Sequence, residues 1–149
     1  MRERARLPLM VRLAAVQRAQ RASAEAQLTV ARAAEAAARI AEDEARESSR
    51  AAERQWLDHV RAPGFSPEYG RALSGRLIGR EEEAQAAASH VREAGEVRAG
   101  RQQEWQRQEA RVQLSEASVR RLKRKLERRI EEKRMAELAD RVTYAWSRT

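Results

Sequence analysis

The sequence contains no cysteine, which excludes disulfide staples, thiolate nucleophiles and cysteine-bound zinc and removes any redox clue to compartment. Proline occurs three times in 149 residues and aromatics make up 4%, too few for a layered globular core. No apolar run reaches 18 residues, so no transmembrane helix is expected. The opening MRERARLPLMVRLAAVQRAQ sets arginines inside what would have to be the apolar core of a signal peptide, and a cytoplasmic location is expected.

What the chain has instead is charge: 36% of residues, with a net of +8. Acidic and basic side chains are mixed along the chain among Ala, Gln and Leu, which favours long solvated helices over disorder. Of the 31 basic residues 28 are arginine, which reflects genome composition as readily as a binding need.

One breaker cluster interrupts this pattern, Ala62-Pro63-Gly64-Phe65-Ser66-Pro67. Ser66, Pro67 and Glu68 together form a helix start: a hydroxyl cap, a proline at the first position and a carboxylate at the positive helix end. The punctuation predicts one domain over 1–149, with helix one over about 8–61, a turn at 62–66, helix two over about 67–143 and a short tail. At 1.5 Å per residue the helices span roughly 80 and 115 Å. Neither is apolar enough to stand alone, so each zips onto the other, and the expected fold is all-α, a long two-helix antiparallel coiled-coil hairpin.

The second helix has a countable seam. Positions 77, 84, 91, 98, 105, 112, 119 and 126 are Leu, Ala, Val, Arg, Trp, Val, Val and Leu, apolar in seven of eight cases. In the first helix the seam is assigned to Leu9, Val16, Val30, Ala37 and Ala51 with Ala19, Ala26, Ala33 and Ile40, interrupted by Ser23, Glu44, Glu47 and Arg54. Alanine buries little area, so the hairpin is expected to be slender and marginally stable. The longer second helix should leave its C-terminal end less covered.

That end holds the most unusual chemistry. Residues 119–134, VRRLKRKLERRIEEKR, carry nine basic and three acidic side chains, and Leu122, Leu126 and Ile130 recur every four residues. Such a basic amphipathic helix suits an acidic protein surface, an anionic membrane or nucleic acid phosphate; the alternative is a solvated coiled-coil face. Trp105 falls on the seam, and Trp56 lies off the assigned heptad beside Leu57 and Val60. With Phe65, Tyr69 and Leu73, Trp56 makes either an apolar recognition tip or a cap on the hairpin's end.

Other chemistry finds no setting. His59 and His90 lack ligand-spaced partners, and Gly75-Arg-Leu-Ile-Gly79-Arg80 lacks the Lys-Ser/Thr of a phosphate loop. The carboxylates of Glu42, Asp43, Glu44 and Glu81–Glu83 have no water-excluded cleft to tune them. No enzyme activity, metal or cofactor is expected.

The stretch Glu132-Lys133-Arg134-Met135-Ala136-Glu137-Leu138-Ala139-Asp140-Arg141 is similar to the C-terminal run of the flagellar FliJ family, with Ala136 where that family more often has an acid. Pro-Gly-Phe-Ser-Pro followed by Tyr69, Leu73 and Leu77 resembles its inter-helix segment, and the likeness covers nearly the whole chain. The resemblance implies a cytoplasmic, non-enzymatic part of the type III export apparatus, peripheral at the inner membrane. Its partners would be a hexameric export ATPase, the export gate membrane protein and substrate chaperones, with no nucleic acid. It assigns Arg121, Lys125, Arg128, Met135, Glu137, Leu138 and Arg141 to the ATPase ring, and Leu73, Leu77 and Ala84, with Trp56, to the gate. The injectisome counterpart, a basic coiled coil on nucleic acid and a structural homodimer are the competing readings.

Overall fold

The computed structural model describes residues 2–148, with the side chains of 4–148. The chain is all-α, a hairpin of two long helices that pack against each other: α1, Arg2–Arg61, and α2, Pro67–Trp146. Between them Gly64 takes φ +88°, a conformation in which a side chain would be strained. The expected helix start is realised. The Tyr69 amide donates to Ser66 Oγ at 3.4 Å and the Gly70 amide donates to the Ser66 carbonyl at 2.8 Å, closing the first turn of α2.

Two boundaries differ from expectation. α1 begins at Arg2 rather than near 8, with Pro8 inside it. Pro8 forgoes only the bond its amide would make to the Arg4 carbonyl, close to the helix start, while Arg, Ala and Leu before it favour helix and Leu7 is half-buried. α2 runs three residues past the expected end, to Trp146, and stays continuous through Gly70, Gly75, Gly79, Gly95 and Gly100.

The helices form two compact units, one from residues 1–24 and 105–149, the other from Glu25–Glu104. In the first, Ala14, Ala24 and Val112 are buried, Val112 at 2% exposure. Arg21 Nη1 donates to Glu109 Oε2 at 3.1 Å and Arg18 Nη1 to Glu116 Oε1 at 3.2 Å across the seam. In the second unit the core is Leu28, Ala31, Ala52 and Leu73. There Arg98 Nε donates to Glu35 Oε2 at 2.9 Å, Arg32 Nη2 to Gln102 Oε1 at 3.0 Å and Arg101 Nη1 to Gln27 Oε1 at 2.6 Å. Within the first unit Arg18–Glu116 and Arg21–Glu109, and within the second Gln27–Arg101 and Glu35–Arg98, run in opposite senses along the two helices, as antiparallel packing requires.

The α2 seam is where the sequence places it: all eight positions from Leu77 to Leu126 are buried or half-buried. The α1 seam is not. Leu9, Val16, Val30 and Ile40 are 53–69% exposed, and Ala19, Ala26, Ala33 and Ala37 are exposed too. Every seventh residue from Leu7 to Trp56, and from Met10 to His59, is buried or half-buried instead. This line includes Gln17, Arg21, Glu35 and Glu42, so hydrophobicity alone points to the wrong face. Three of these polar members find partners, Arg21 on Glu109, Glu35 on Arg98 and Glu42 on Arg46 of its own helix, whereas Gln17 Oε1 accepts no hydrogen bond. Trp56 is therefore a half-buried seam residue, not one outside the heptad.

Candidate protein-binding surface

Charge is divided between the two units. The first carries 19 basic against 8 acidic residues, the second 12 against 15. The basic 119–134 stretch supplies only part of this, because antiparallel packing brings the arginines of α1 beside it. Arg4 shares a surface groove with Arg129, Lys133 and Arg134, and Arg6 shares another with Arg121 and Lys125. A third groove brings Arg18 beside Arg120 and Lys123. The sequence reading missed this contribution of α1, although pairing the two ends of a hairpin residue by residue would have found it.

Arg121, Lys125 and Arg128 are exposed, while Leu122 and Leu126 between them are half-buried. Leu122 and Leu126 are thus used on the seam, Ile130, the third of the series, is 50% exposed, and the cations face outward. Every described residue from 127 to 148 is exposed, as the longer helix led one to expect. Here the pattern changes face. Lys133, Glu137 and Asp140 continue the seam line as polar residues, with Lys133 Nζ 3.9 Å from Glu137 Oε1. Met135, Leu138, Ala139, Val142 and Trp146 fall within an arc of about 100°, on the side of the helix roughly opposite Leu122 and Leu126. Met135 is 62% exposed and Trp146 80%. Of the residues assigned to an ATPase ring, Met135 and Leu138 lie on this stripe, Arg141 lies to one side of it, and Glu137 lies on the opposite, seam-line side of the helix.

The residues assigned to an export gate lie in the second unit and are less accessible. Leu73 is buried at 7%, and Leu77, Ala84 and Trp56 are half-buried. What a partner meets beside them is Ile78 on the same helix and the aromatic turn. At that turn the His59 ring lies 5.2 Å from the Phe65 ring, tilted, and 4.7 Å from Tyr69, edge-on. His59 Nε2 is 3.1 Å from the Ser66 carbonyl oxygen. Phe65 and Tyr69 remain more than half exposed around this clamp, so the tip presents two aromatic faces, neither of them Trp56's.

Three carboxylates depart from ordinary ionisation, all downward. A hydrogen bond from Arg98 chiefly holds Glu35 low, with the nearby Arg98 and Arg39 charges adding to it. Glu47 is held low by Arg54, and Glu109 by Gln113 first and Arg21 second. Each is fixed as an anion in an ion pair, the reverse of the raised carboxyl that proton donation at neutral pH calls for. Among the described residues no group of three or more His, Asp or Glu side chains is arranged to hold a metal ion, and no helix is long and apolar enough to cross a membrane. Compared with family models, with curated proteins and with solved structures, the chain returns no match.

Proposed function

We propose that this chain is a non-enzymatic adaptor of the type III export kind, resembling the FliJ stalk, which joins a hexameric export ATPase to the export gate and promotes protein export. The observation that carries the reading is the charge division, 19 basic to 8 acidic residues in the unit that holds both ends of the hairpin. A basic end enters a ring lined with acidic side chains by long-range attraction, and the exposed Met135–Trp146 stripe then supplies contact area. The aromatic turn and Ile78 lie in the other unit, available to the gate, so a single chain touches both partners and no cofactor takes part. The setting is the cytoplasmic face of the inner membrane, reached through the gate, with the injectisome counterpart as the close variant and substrate chaperones as further partners.

The test is co-purification of the full chain with a hexameric type III export ATPase. The triple variant Arg121→Glu, Lys125→Glu, Arg128→Glu should lose the ATPase while its helical circular dichroism is unchanged, because all three side chains are exposed. Retention of the ATPase by that variant overturns the reading. The same basic end suits nucleic acid phosphate, and a steep fall of DNA binding with salt, with no ATPase bound, would favour that second reading.

A further inference from the structure

The two flanks of the first unit differ in a way that the stalk reading does not use. On one flank Arg18 is paired with Glu116 across the seam, so the groove holding Val11 and Val119 contains its own counter-charge. On the other flank two grooves join through Met10 and Ser118, which line both. On α1 this continuous groove runs along Arg6, Met10, Leu13 and Gln17, spaced i, i+4, i+7 and i+11 as one helical stripe. On α2 it runs from Arg111 and Leu114 to Arg121 and Lys125.

Three features of the groove point to one kind of occupant. Its floor is apolar and open, with Leu13 52% and Leu114 68% exposed beside Met10. Its ends are basic, Arg6, Arg121 and Lys125 at one and Arg111 at the other, and no acidic residue lines it. Arg6, Arg111 and Arg121 make no ion pair among the described residues. In its wall Gln17 Oε1 is shielded from solvent and accepts no hydrogen bond, an acceptor waiting for a donor.

We infer that this groove docks an amphipathic helix of about three turns from a partner protein, lying as a third helix on α1 and α2. Its leucine-type side chains contact Leu13 and Leu114, and its acidic residues reach the basic ends. A groove between two helices is the natural seat of a third, as in other helix-in-groove recognition. The charges select the partner. A second copy of the chain would bring the same unpaired arginines against each other, whereas an acidic helix neutralises them. The groove shares Arg121 and Lys125 with the ATPase reading, but Leu13, Leu114, Arg6 and Arg111 are assigned to no ring contact, so variants at these four separate the two.

The probe is a fluorescein-labelled 14-residue peptide with leucines on one face over its two middle turns and glutamates at both ends, titrated with the full chain and followed by anisotropy and circular dichroism. Expected are saturable binding, a gain of peptide helicity, and at least tenfold weaker binding for a peptide with lysines in place of the glutamates. Leu13→Gln and Leu114→Gln should each weaken binding about tenfold or more, as should the pair Arg6→Glu and Arg111→Glu, whereas Lys123→Glu on the other flank should change it less than threefold. All are exposed positions, so the variants fold, which their circular dichroism checks. Equal binding of a scrambled peptide of the same composition, or equal displacement by a single-stranded oligonucleotide, overturns the inference, because either shows charge alone at work. So does a concentration-dependent dimer in sedimentation that Leu114→Gln dissolves, which would make a second copy the occupant.

Discussion

Glu35 accepts a hydrogen bond from Arg98 Nε at 2.9 Å across the seam and a second from Arg39 Nη2 at 2.8 Å along its own helix. Arg98 is the one polar residue on the counted α2 seam, and the pair is a charged rung across it, as Arg21–Glu109 is nearer the chain ends. Leaving one member alone is worse than removing both. Glu35→Leu and Arg98→Leu singly should lower the thermal midpoint, and the double variant should melt at or above the midpoint of the unsubstituted chain. Melting curves followed at 222 nm decide this, and a double variant less stable than both singles would refute it.

Depressed carboxylates make stability depend on acidity in a fixed direction. Glu35, Glu47 and Glu109 ionise below their unfolded value of 4.5. Their contribution is therefore complete above pH 4.5 and lost as pH falls through the folded values. Urea midpoints measured from pH 7 to pH 2 should hold level and then drop below about pH 4.5, and the double variant Glu35→Gln, Glu109→Gln should flatten that drop.

Neighbouring positions on α2 give a sharp contrast in packing. Val112 is 2% exposed and Leu114, two residues on, 68%. Val112→Ala should cost about 2 kcal/mol through lost methyl burial and a residual void, while Leu114→Ala should stay within about 0.5 kcal/mol. Urea unfolding of both variants tests the seam register directly, since a register shifted by two residues would exchange the results.

Glycines supply a test of opposite sign. A Cβ added at Gly75, Gly79 or Gly100 meets nothing within 4 Å, and all three lie in the body of α2. Each Gly→Ala change there should stabilise by roughly 0.5–1 kcal/mol. Gly64→Ala should instead destabilise by about 1 kcal/mol, because φ +88° at the turn strains any side chain. Thermal unfolding of the four variants separates the two groups.

The turn, the cap at Ser66 and the α2 seam were legible in the sequence because each rests on a local rule: breakers, a hydroxyl before proline, a seven-residue apolar repeat. The α1 seam was not legible, because its apolar residues Leu9, Val16 and Val30 face solvent while Arg21, Glu35 and Glu42 face the partner helix. Only a question about pairs, namely which acid of α1 answers Arg98, would have found the register. The basic end was half visible: 119–134 stood out as a run, whereas Arg4 and Arg6 acquire meaning only once α1 lies beside it. The groove at Leu13 and Leu114 had no signal, since it depends on which flank of each helix the true register leaves open.

One of the two α1 seam lines is alanine at five successive heptads, from Ala24 to Ala52, and a line so uniform offers little to stop the helices sliding. Slippage by one heptad in either direction would bring Glu109 from Arg21 to the level of Leu28 or Ala14, and Glu35 from Arg98 to the level of Trp105 or Val91. Both anions would then be stranded against apolar neighbours, whichever way the rods moved. The ion pairs thus act as the teeth of a key, letting two slender rods lock in one alignment and still come apart without a large hydrophobic core to break.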